Sequence, residues 1–295
     1  MRQVLQHKDD TNLTVKEEAL LMQFLIENLK HKSRDNIKSL LKNKQVWVNG
    51  QYVTPYNHQL HQGDSVVIKW SPSSYGSLSR SLRIVYQDDH LIVIDKFHGL
   101  LSIATEGEKQ ATAYSILSSF VKQQNSAGKI FVVHRLDRDT SGLMMFAKSE
   151  EVQTLLQTNW KDSIIDRTYM AVVEGQVEEP EGTIKSYMYE SKALMMHTTK
   201  NPEKGDLAIT HYRTVKSKPS YSLLEIKLET GRKNQIRLHM QEIGHSIVGD
   251  KKYGATGNPI ARLALHASVL AFIHPVTHEK MRFESPLPTK FRRLI

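Results

Sequence analysis

Cysteine is absent from the 295 residues, which excludes disulfides, thiolate metal sites and cysteine nucleophiles together and fits a reducing compartment. No run of about 18 apolar residues occurs, and residues 1–10 hold none of the apolar core of a secretory signal. The expected location is the cytoplasm, with no membrane partner. Also missing are a Gly-x-Gly-x-x-Gly after a strand and a phosphate loop ending in Gly-Lys-Ser or Gly-Lys-Thr, so nucleotide cofactors lack a cradle. Acidic residues are the scarcer charge. Against 40 Lys and Arg stand 31 Asp and Glu, a formal charge of +9, which favours a polyanionic partner such as RNA, DNA or an anionic membrane. What is present suffices for packed cores: apolar residues make up 39% of the chain, well above the disordered range. The length fits a small domain plus a larger one.

The first seventy residues read as one unit. Leu21, Leu25 and Leu29 recur at spacing four and predict a helix over 17–30. Ser33 stands where an N-cap belongs, and Ile37, Leu40 and Leu41 follow at helical spacing. Arg34, Lys38 and Lys42 form a second, basic stripe on that helix. Asn49-Gly50, between the β-like runs 45–48 and 51–53, suits the positive φ angles of a tight hairpin, and Gly63-Asp64 introduces a last strand over 66–70. Residues 71–77 are rich in Ser with Pro72 and Gly76, the composition of a connector. The expected division is a small domain over 1–70, a linker over 71–80 and a larger domain over 81–295.

Taken alone, the basic stripe is equally a solvated helix face. The order of the run 33–50, helix, Asn-Gly hairpin and intervening lysines, resembles the small RNA-binding domain first seen in a bacterial ribosomal small-subunit protein. In that family two helices and a hairpin present a basic surface to structured RNA, which implies that Arg34, Lys38 and Lys42 contact RNA. The Arg-Leu-Asp that often opens the family's first helix is missing here.

Beyond residue 80, short β-like runs dominate: 82–86, 91–95, 130–133, 143–147, 169–174, 210–215, 223–228 and 263–272. Two helices are predicted among them. Ser149 caps one with Val152, Leu155 and Leu156 inward, and Gly231 precedes another with Ile236, Met240 and Ile243 on one face, closed by Gly244. Many strands with few helices predict an α+β domain with a largely antiparallel, mixed sheet.

Between two apolar strands lies the charged segment His134-Arg135-Leu136-Asp137-Arg138-Asp139-Thr140-Ser141-Gly142-Leu143. Active-site groups favour loops held by a rigid sheet. A carboxylate near two guanidinium groups suits a nucleophile or an electrostatic stabiliser rather than a general acid. On composition alone, a surface salt-bridge cluster fits equally well.

This segment resembles the signature loop of the RluA/RluD-type pseudouridine synthases. Further stretches follow in the family's order: Arg167-Thr168-Tyr169-Met170-Ala171, then 230–239 containing Arg237, 244–254 containing Lys251 and Lys252, and Arg262-Leu263-Ala264-Leu265-His266-Ala267. The resemblance implies that Asp137 is catalytic, that Tyr169 stacks on the target uracil, and that Arg237 pairs with Asp137. It implies that Arg135 fills the gap left by an extruded base and that Arg138, Lys251 and Lys252 bind phosphates. The reaction it implies, uridine to pseudouridine, involves no net redox change and needs no cofactor or metal. The implied partner is large-subunit ribosomal RNA or transfer RNA, and a monomer is expected because no heptad run appears. Two positions depart from the family pattern: Phe97 replaces the proline of a Lys-Pro-x-Gly element, and Asn234 stands where His is frequent.

Other classes fit less well. A noncatalytic RNA-binding or RNA-chaperone protein of the same fold would have no use for Asp137, Tyr169 and Arg237. A two-metal nuclease built on Asp88-Asp89 and Asp137-x-Asp139 would place cations beside Arg135 and Arg138. His274 and His278 have ligand spacing only on a helix, and Pro275 places them in a turn instead.

Overall fold

Two apolar stripes and one tight turn explain the first small core. In chain order the elements are β1 (Thr11–Thr14), β2 (Ala19–Leu20), α1 (Leu21–Asn28), α2 (Arg34–Lys42), β3 (Val46–Val48), β4 (Gln51–Tyr52), β5 (Gln59–Leu60) and β6 (Ser65–Ile68). The computed structural model describes residues 11–30, 32–42, 45–68, 81–104 and 111–295. Lys69, Trp70 and the expected linker 71–80 lie outside these. Leu21, Leu25, Leu29, Ile37, Leu40 and Leu41 pack on Val46, Val66 and Ile68, so both predicted helical stripes face one core. The sheet order is β1-β6-β3-β4, all antiparallel. Asn49 (φ 50°) and Gly50 (φ 81°) both take the left-handed backbone of the β3–β4 hairpin. The first helix is shorter than predicted, because residues 19–20 pair with β5 instead.

The larger part continues with β7 (Leu82–Gln87), β8 (Leu91–Lys96), α3 (Ala113–Gln124), β9 (Phe131–Val132), β10 (Ser141–Ala147), α4 (Glu150–Thr158), α5 (Trp160–Ser163) and β11 (Ile164–Glu174). It ends with β12 (Glu181–Glu190), β13 (Met196–Thr199), β14 (Asp206–Ser217), β15 (Tyr221–Leu228), α6 (Gln235–Glu242), β16 (Leu265–Ile273), β17 (Lys280–Glu284) and α7 (Thr289–Arg292). Among the described residues these strands form one 11-stranded sheet, ordered β13-β12-β14-β15-β11-β16-β10-β8-β7, with β17 beside β16 and β9 beside β10. The fold is α+β with a mixed, mostly antiparallel sheet, as expected.

The central strands are buried on both faces, which is why they read as unbroken apolar runs. Along β8, Ile92 and Ile94 face one core while Leu91 and Val93 face the other; along β10, Met144 and Phe146 oppose Leu143 and Met145 in the same way. α3, α6 and α7 close the first core through Leu117, Ile236 and Phe291, and α4 closes the second through Val152 and Leu156. Leu155, expected inward, is exposed, because a helix over a sheet face buries only one stripe.

Among the described residues, one pairing between strands is parallel. β10 meets β16 only through Ser141–His266 and Gly142–Ala267, and this short seam joins the two antiparallel halves. Gly142 has φ 116°, and a Cβ there would lie 2.1 Å from the Ala267 carbonyl oxygen. Its lack of a side chain permits the close approach. The 134–140 segment leaves the sheet at this seam. Among the described residues, no helix is long and apolar enough to cross a membrane.

Candidate active site

Asp137 sits in the loop between β9 and β10, with its side chain 25% exposed. Neighbouring backbone groups are pinned on both sides of it. The Ser102 hydroxyl accepts from Leu136 N (3.2 Å) and donates to Leu136 O (2.6 Å). Lys96 Nζ donates to Arg138 O (3.0 Å), Leu100 O (2.8 Å) and Phe97 O (3.3 Å). Gly99 N also donates to Arg138 O (2.9 Å). A carboxylate whose flanking peptides are held this way needs little reordering to act. Burial pulls the Lys96 ammonium down to about 7, against the opposing fields of Asp137 and Asp139.

Phe97, where the resemblance leads proline to be expected, uses its backbone N–H. Its N–H donates to Ser81 O (2.9 Å), a bond that proline cannot make. Both the N–H and the carbonyl of Phe97 are thus hydrogen-bonded, the carbonyl by Lys96.

Arg237, on α6, lies 3.6 Å from Asp137 (Nη1 to Oδ2). Its guanidinium is clamped from behind. Nε and Nη2 donate to the two oxygens of Asp250, both at 2.7 Å, in a bidentate fork. Nη1 also donates to Asn234 Oδ1 (3.1 Å), and Cζ lies 5.0 Å from the centre of the Tyr253 ring. The side chains of Arg237 and Asp250 are 11% and 1% exposed. Burial works against the Arg237 charge, yet the Asp250 bonds and the nearby Asp137 hold its pKa above the ordinary value. Asn234 has φ 57°, a left-handed conformation that Asn tolerates, and its amide donates to the Tyr253 hydroxyl (3.0 Å). The second departure from the family pattern is thus part of the Arg237 clamp.

A cavity of about 410 Å³ opens between these elements, lined by Arg135, Asp137, Tyr169, Ile236, Arg237 and Leu265 among others. Its size lies in the range of small-ligand pockets. The fold therefore brings Asp137, Tyr169 and Arg237 together from three separate parts of the chain. Tyr169 lies on β11 opposite a β-bulge in β16, where Thr168 faces Val269 and Tyr169 faces Ala267, so that Ser268 is the extra residue. Burial raises its phenol pKa, assisted by Asp137 and opposed by Arg167.

A smaller cavity of about 180 Å³ shares Arg135, Asp137 and Arg237 with the larger one and is lined also by Arg138, Lys233 and Lys252. Lys251 is exposed beside Lys252 and lines neither space. Arg34, Lys38 and Lys42 are all exposed on α2 and line neither cavity. Sequence reasoning missed Lys96, Ser102 and Asp250 as supports and Trp160 and Arg167 as cavity wall. Asp250 and Arg167 stand inside the family-like stretches, so the signal was there without a role attached.

The rival carboxylate pair is otherwise engaged. Asp88 accepts from His90 N, Leu91 N, Tyr86 OH and His274 Nε2 at 2.7 to 3.0 Å. His274 to His278 form a turn.

The RNA pseudouridylate synthase family model matches residues 90–242. The chain is 34% identical over 255 residues to the Bacillus subtilis protein YjbO, described as an uncharacterized RNA pseudouridine synthase, covering 84% of this chain and 88% of that protein. It is 32% identical over 280 residues to the ribosomal large subunit pseudouridine synthase D of Pseudomonas aeruginosa, covering 89% and 87%. The solved human RNA pseudouridylate synthase domain containing 4 superposes with a TM-score of 0.59 at 22% identity, covering 72% of this chain and 92% of that one, a likeness of fold.

Proposed function

The chain belongs to the RNA pseudouridylate synthase family, and on that premise we propose that it isomerises particular uridines in large-subunit ribosomal RNA or transfer RNA, with Asp137 as the catalytic carboxylate. The observation that carries this reading is the meeting of Asp137, Arg237 and Tyr169 around one cavity, with Arg237 3.6 Å from Asp137. The large-subunit substrate takes precedence because relatives with that name cover most of the chain.

A uridine inside a helix cannot reach a carboxylate at the base of a cleft, so the nucleotide must be extruded, and Arg135 at the rim fills the vacated stack. Tyr169 stacks on the extruded uracil. Asp137 then starts cleavage of the glycosidic bond, by attack on the sugar or by removal of its C2′ proton. Arg237 keeps Asp137 ionised and aimed, and Asp250 keeps Arg237 in place. The freed base turns and rejoins the sugar through C5, a sequence with no net redox change that calls for no cofactor or metal. Arg138, Lys251 and Lys252 neutralise phosphates and add salt-sensitive affinity. The N-terminal unit, residues 1–70, adds RNA contacts through Arg34, Lys38 and Lys42. The protein acts as a monomer in the cytoplasm.

Asp137→Asn tests the centre of this reading because it keeps the shape and removes the charge. Total RNA labelled with tritium at uracil C5, from cells lacking this protein, should release tritium to water with the wild-type chain and not with the variant. RNA affinity should stay within about threefold, since the change touches chemistry rather than binding. Release by the variant at the wild-type rate would remove Asp137 from the mechanism. Binding without release by either chain would favour the noncatalytic RNA-binding reading.

A further inference from the structure

The Arg167 guanidinium has no acceptor or counter-ion among the described residues, where one is expected. Four arginines line the larger cavity: Arg135, Arg167, Arg232 and Arg237. Arg237 is held by Asp250 and Asn234. Arg232 reaches Asp206 (3.3 Å) and Leu207 O (3.2 Å). Arg135 is exposed, so water solvates it. The Arg167 side chain is half-buried and makes no hydrogen bond or ion pair with the described residues. A partly desolvated charge without a counter-group is costly, and its persistence here points to an acceptor that arrives with the substrate.

Its surroundings hold it toward the cavity. Arg167 and Tyr169 are two apart on β11 and both line the space. The guanidinium carbon lies 5.2 Å from the centre of the Trp160 ring, an orientation that fixes a cation without using its N–H donors. Trp160 lies 5.3 Å from the His134 ring. His134 accepts the Met145 N–H at Nε2 (3.1 Å), which keeps that imidazole neutral and leaves Arg167 as the charge on this wall. Gly231 is its neighbour on the other side, where a Cβ would lie in ordinary contact, 3.5 Å from Arg167 Nη1.

The reaction supplies the acceptor. When the C1′–N1 bond breaks, its electron pair leaves with N1, and the negative charge spreads over N1, O2 and O4 of the uracil. Asp137 meanwhile loses its charge, by bonding to C1′ or by taking the C2′ proton. Charge therefore moves away from the carboxylate beside Arg237 and onto the uracil ring. In the second half, C5 bonds to C1′, Asp137 is released or returns its proton to C2′, C5 loses its proton and N1 gains one. Atoms and electrons balance without a co-reactant. Preorganised donors aimed at where charge develops are among the largest contributors to catalysis.

We infer that Arg167 is a further catalytic residue, which binds a carbonyl oxygen of the extruded uracil and stabilises the uracil anion formed on glycosidic cleavage. This rests on the proposed function above, and the test separates the two. Ribosomal and transfer RNAs transcribed in vitro with uridine tritiated at C5, or with 5-fluorouridine, are reacted under single-turnover conditions with the wild-type chain, Arg167→Gln and Arg167→Lys. Conversion is read as tritium release for the first substrate and as loss of 5-fluorouridine in a nucleoside digest for the second.

Arg167→Gln should slow the uridine reaction by about 100- to 1,000-fold, the usual effect of removing one such donor. Its defect should be at least about tenfold smaller on 5-fluorouridine, because fluorine already stabilises the departing anion and leaves less for a cation to do. Arg167→Lys should recover part of the loss, since it keeps the charge. Equal defects on both substrates, as a merely structural role would produce, overturn the inference. So does a loss that appears entirely as weaker RNA binding, which would mark a phosphate contact. A wild-type chain inert on both RNAs overturns the parent reading as well, whereas an active wild type matched by Arg167→Gln overturns this inference alone.

Discussion

Lys96 is fully buried, and its three donors meet the carbonyl oxygens of Phe97, Leu100 and Arg138. Arg138 follows Asp137 directly, so this one side chain ties the Asp137 loop to the β8 terminus. Burial lowers the ammonium pKa to about 7 in the folded protein, whereas the unfolded chain releases the proton at about 10.4. Between those values the unfolded state binds more protons, so stability rises with pH through that window. Below about pH 7 both states are protonated, and the full cost of the buried charge is present. The free energy of urea unfolding should therefore climb from about pH 7 upward by at most about 1.4 kcal/mol per pH unit from this group. Lys96→Met, less stable overall because three carbonyls lose their donor, should lack that component. Parallel curves for the two proteins would show that the ammonium is not desolvated as described. Lys96 is visible in the sequence only as part of a motif, because its partners come from two loops, the farther one 42 residues along the chain from it. Asp250 is another such case: it meets Arg237 across 13 residues while also capping the turn Lys251–Tyr253, and no spacing rule encodes that contact. Asp137, Tyr169 and Arg237 were named from ordered motifs, and the fold places them around one cavity.

At the scale of elements, the seam between β10 and β16 determines where the Asp137 loop emerges. The parallel pairing is only two residues long, and Gly142 is pressed against the Ala267 backbone. Gly142→Ala places a methyl 2.1 Å from a carbonyl oxygen and 2.6 Å from the Ala267 nitrogen, in a backbone region that L-residues rarely enter. Neither backbone can retreat without breaking the seam, so the substitution should destabilise the protein by more than about 3 kcal/mol and abolish activity along with the melting transition. A folded, active Gly142→Ala protein would mean that the two halves of the sheet are not locked here. The strands flanking this seam were legible because burial on both faces makes them apolar throughout. β12 was not, since it alternates exposed Glu181, Thr183 and Lys185 with buried Ile184, Ser186 and Met188, and a buried serine breaks the apolar pattern. Its Ser186 is accommodated by His239 on α6 (3.0 Å), a partner only the fold supplies. The helix α3 was missed for a similar reason: among Ser115, Ser118 and Ser119, the buried Leu117 and Val121 are a sparse stripe, and its start rests on a reciprocal Thr112–Ser115 capping pair.

At the scale of the whole molecule, the two cores are joined by more than the connecting chain. Asn36 on α2 donates its side-chain amide to Asp89 in the β7–β8 turn, so the face of α2 bearing Asn36 meets the larger part while Arg34, Lys38 and Lys42 remain exposed. On that stripe Lys38 pairs with Asp35 at 3.4 Å, but both groups are exposed and such a pair is worth little, so it does not withhold Lys38 from a phosphate. If α2 contacts RNA as proposed, reversing two of its charges leaves two phosphates without a cation and adds local repulsion. Lys38→Glu with Lys42→Glu should weaken RNA binding and lower the slope of log affinity against log salt by about 1.5 to 2, close to one unit for each phosphate no longer neutralised. Because neither residue is in a core or near Asp137, the melting temperature and the single-turnover rate on saturating RNA should remain at wild-type values. Unchanged affinity and salt slope would return α2 to a solvated face and leave RNA recognition to the Arg138 and Lys252 rim. A lowered turnover rate at saturation would instead show that the N-terminal unit presents the uridine to the cavity as well as holding the RNA.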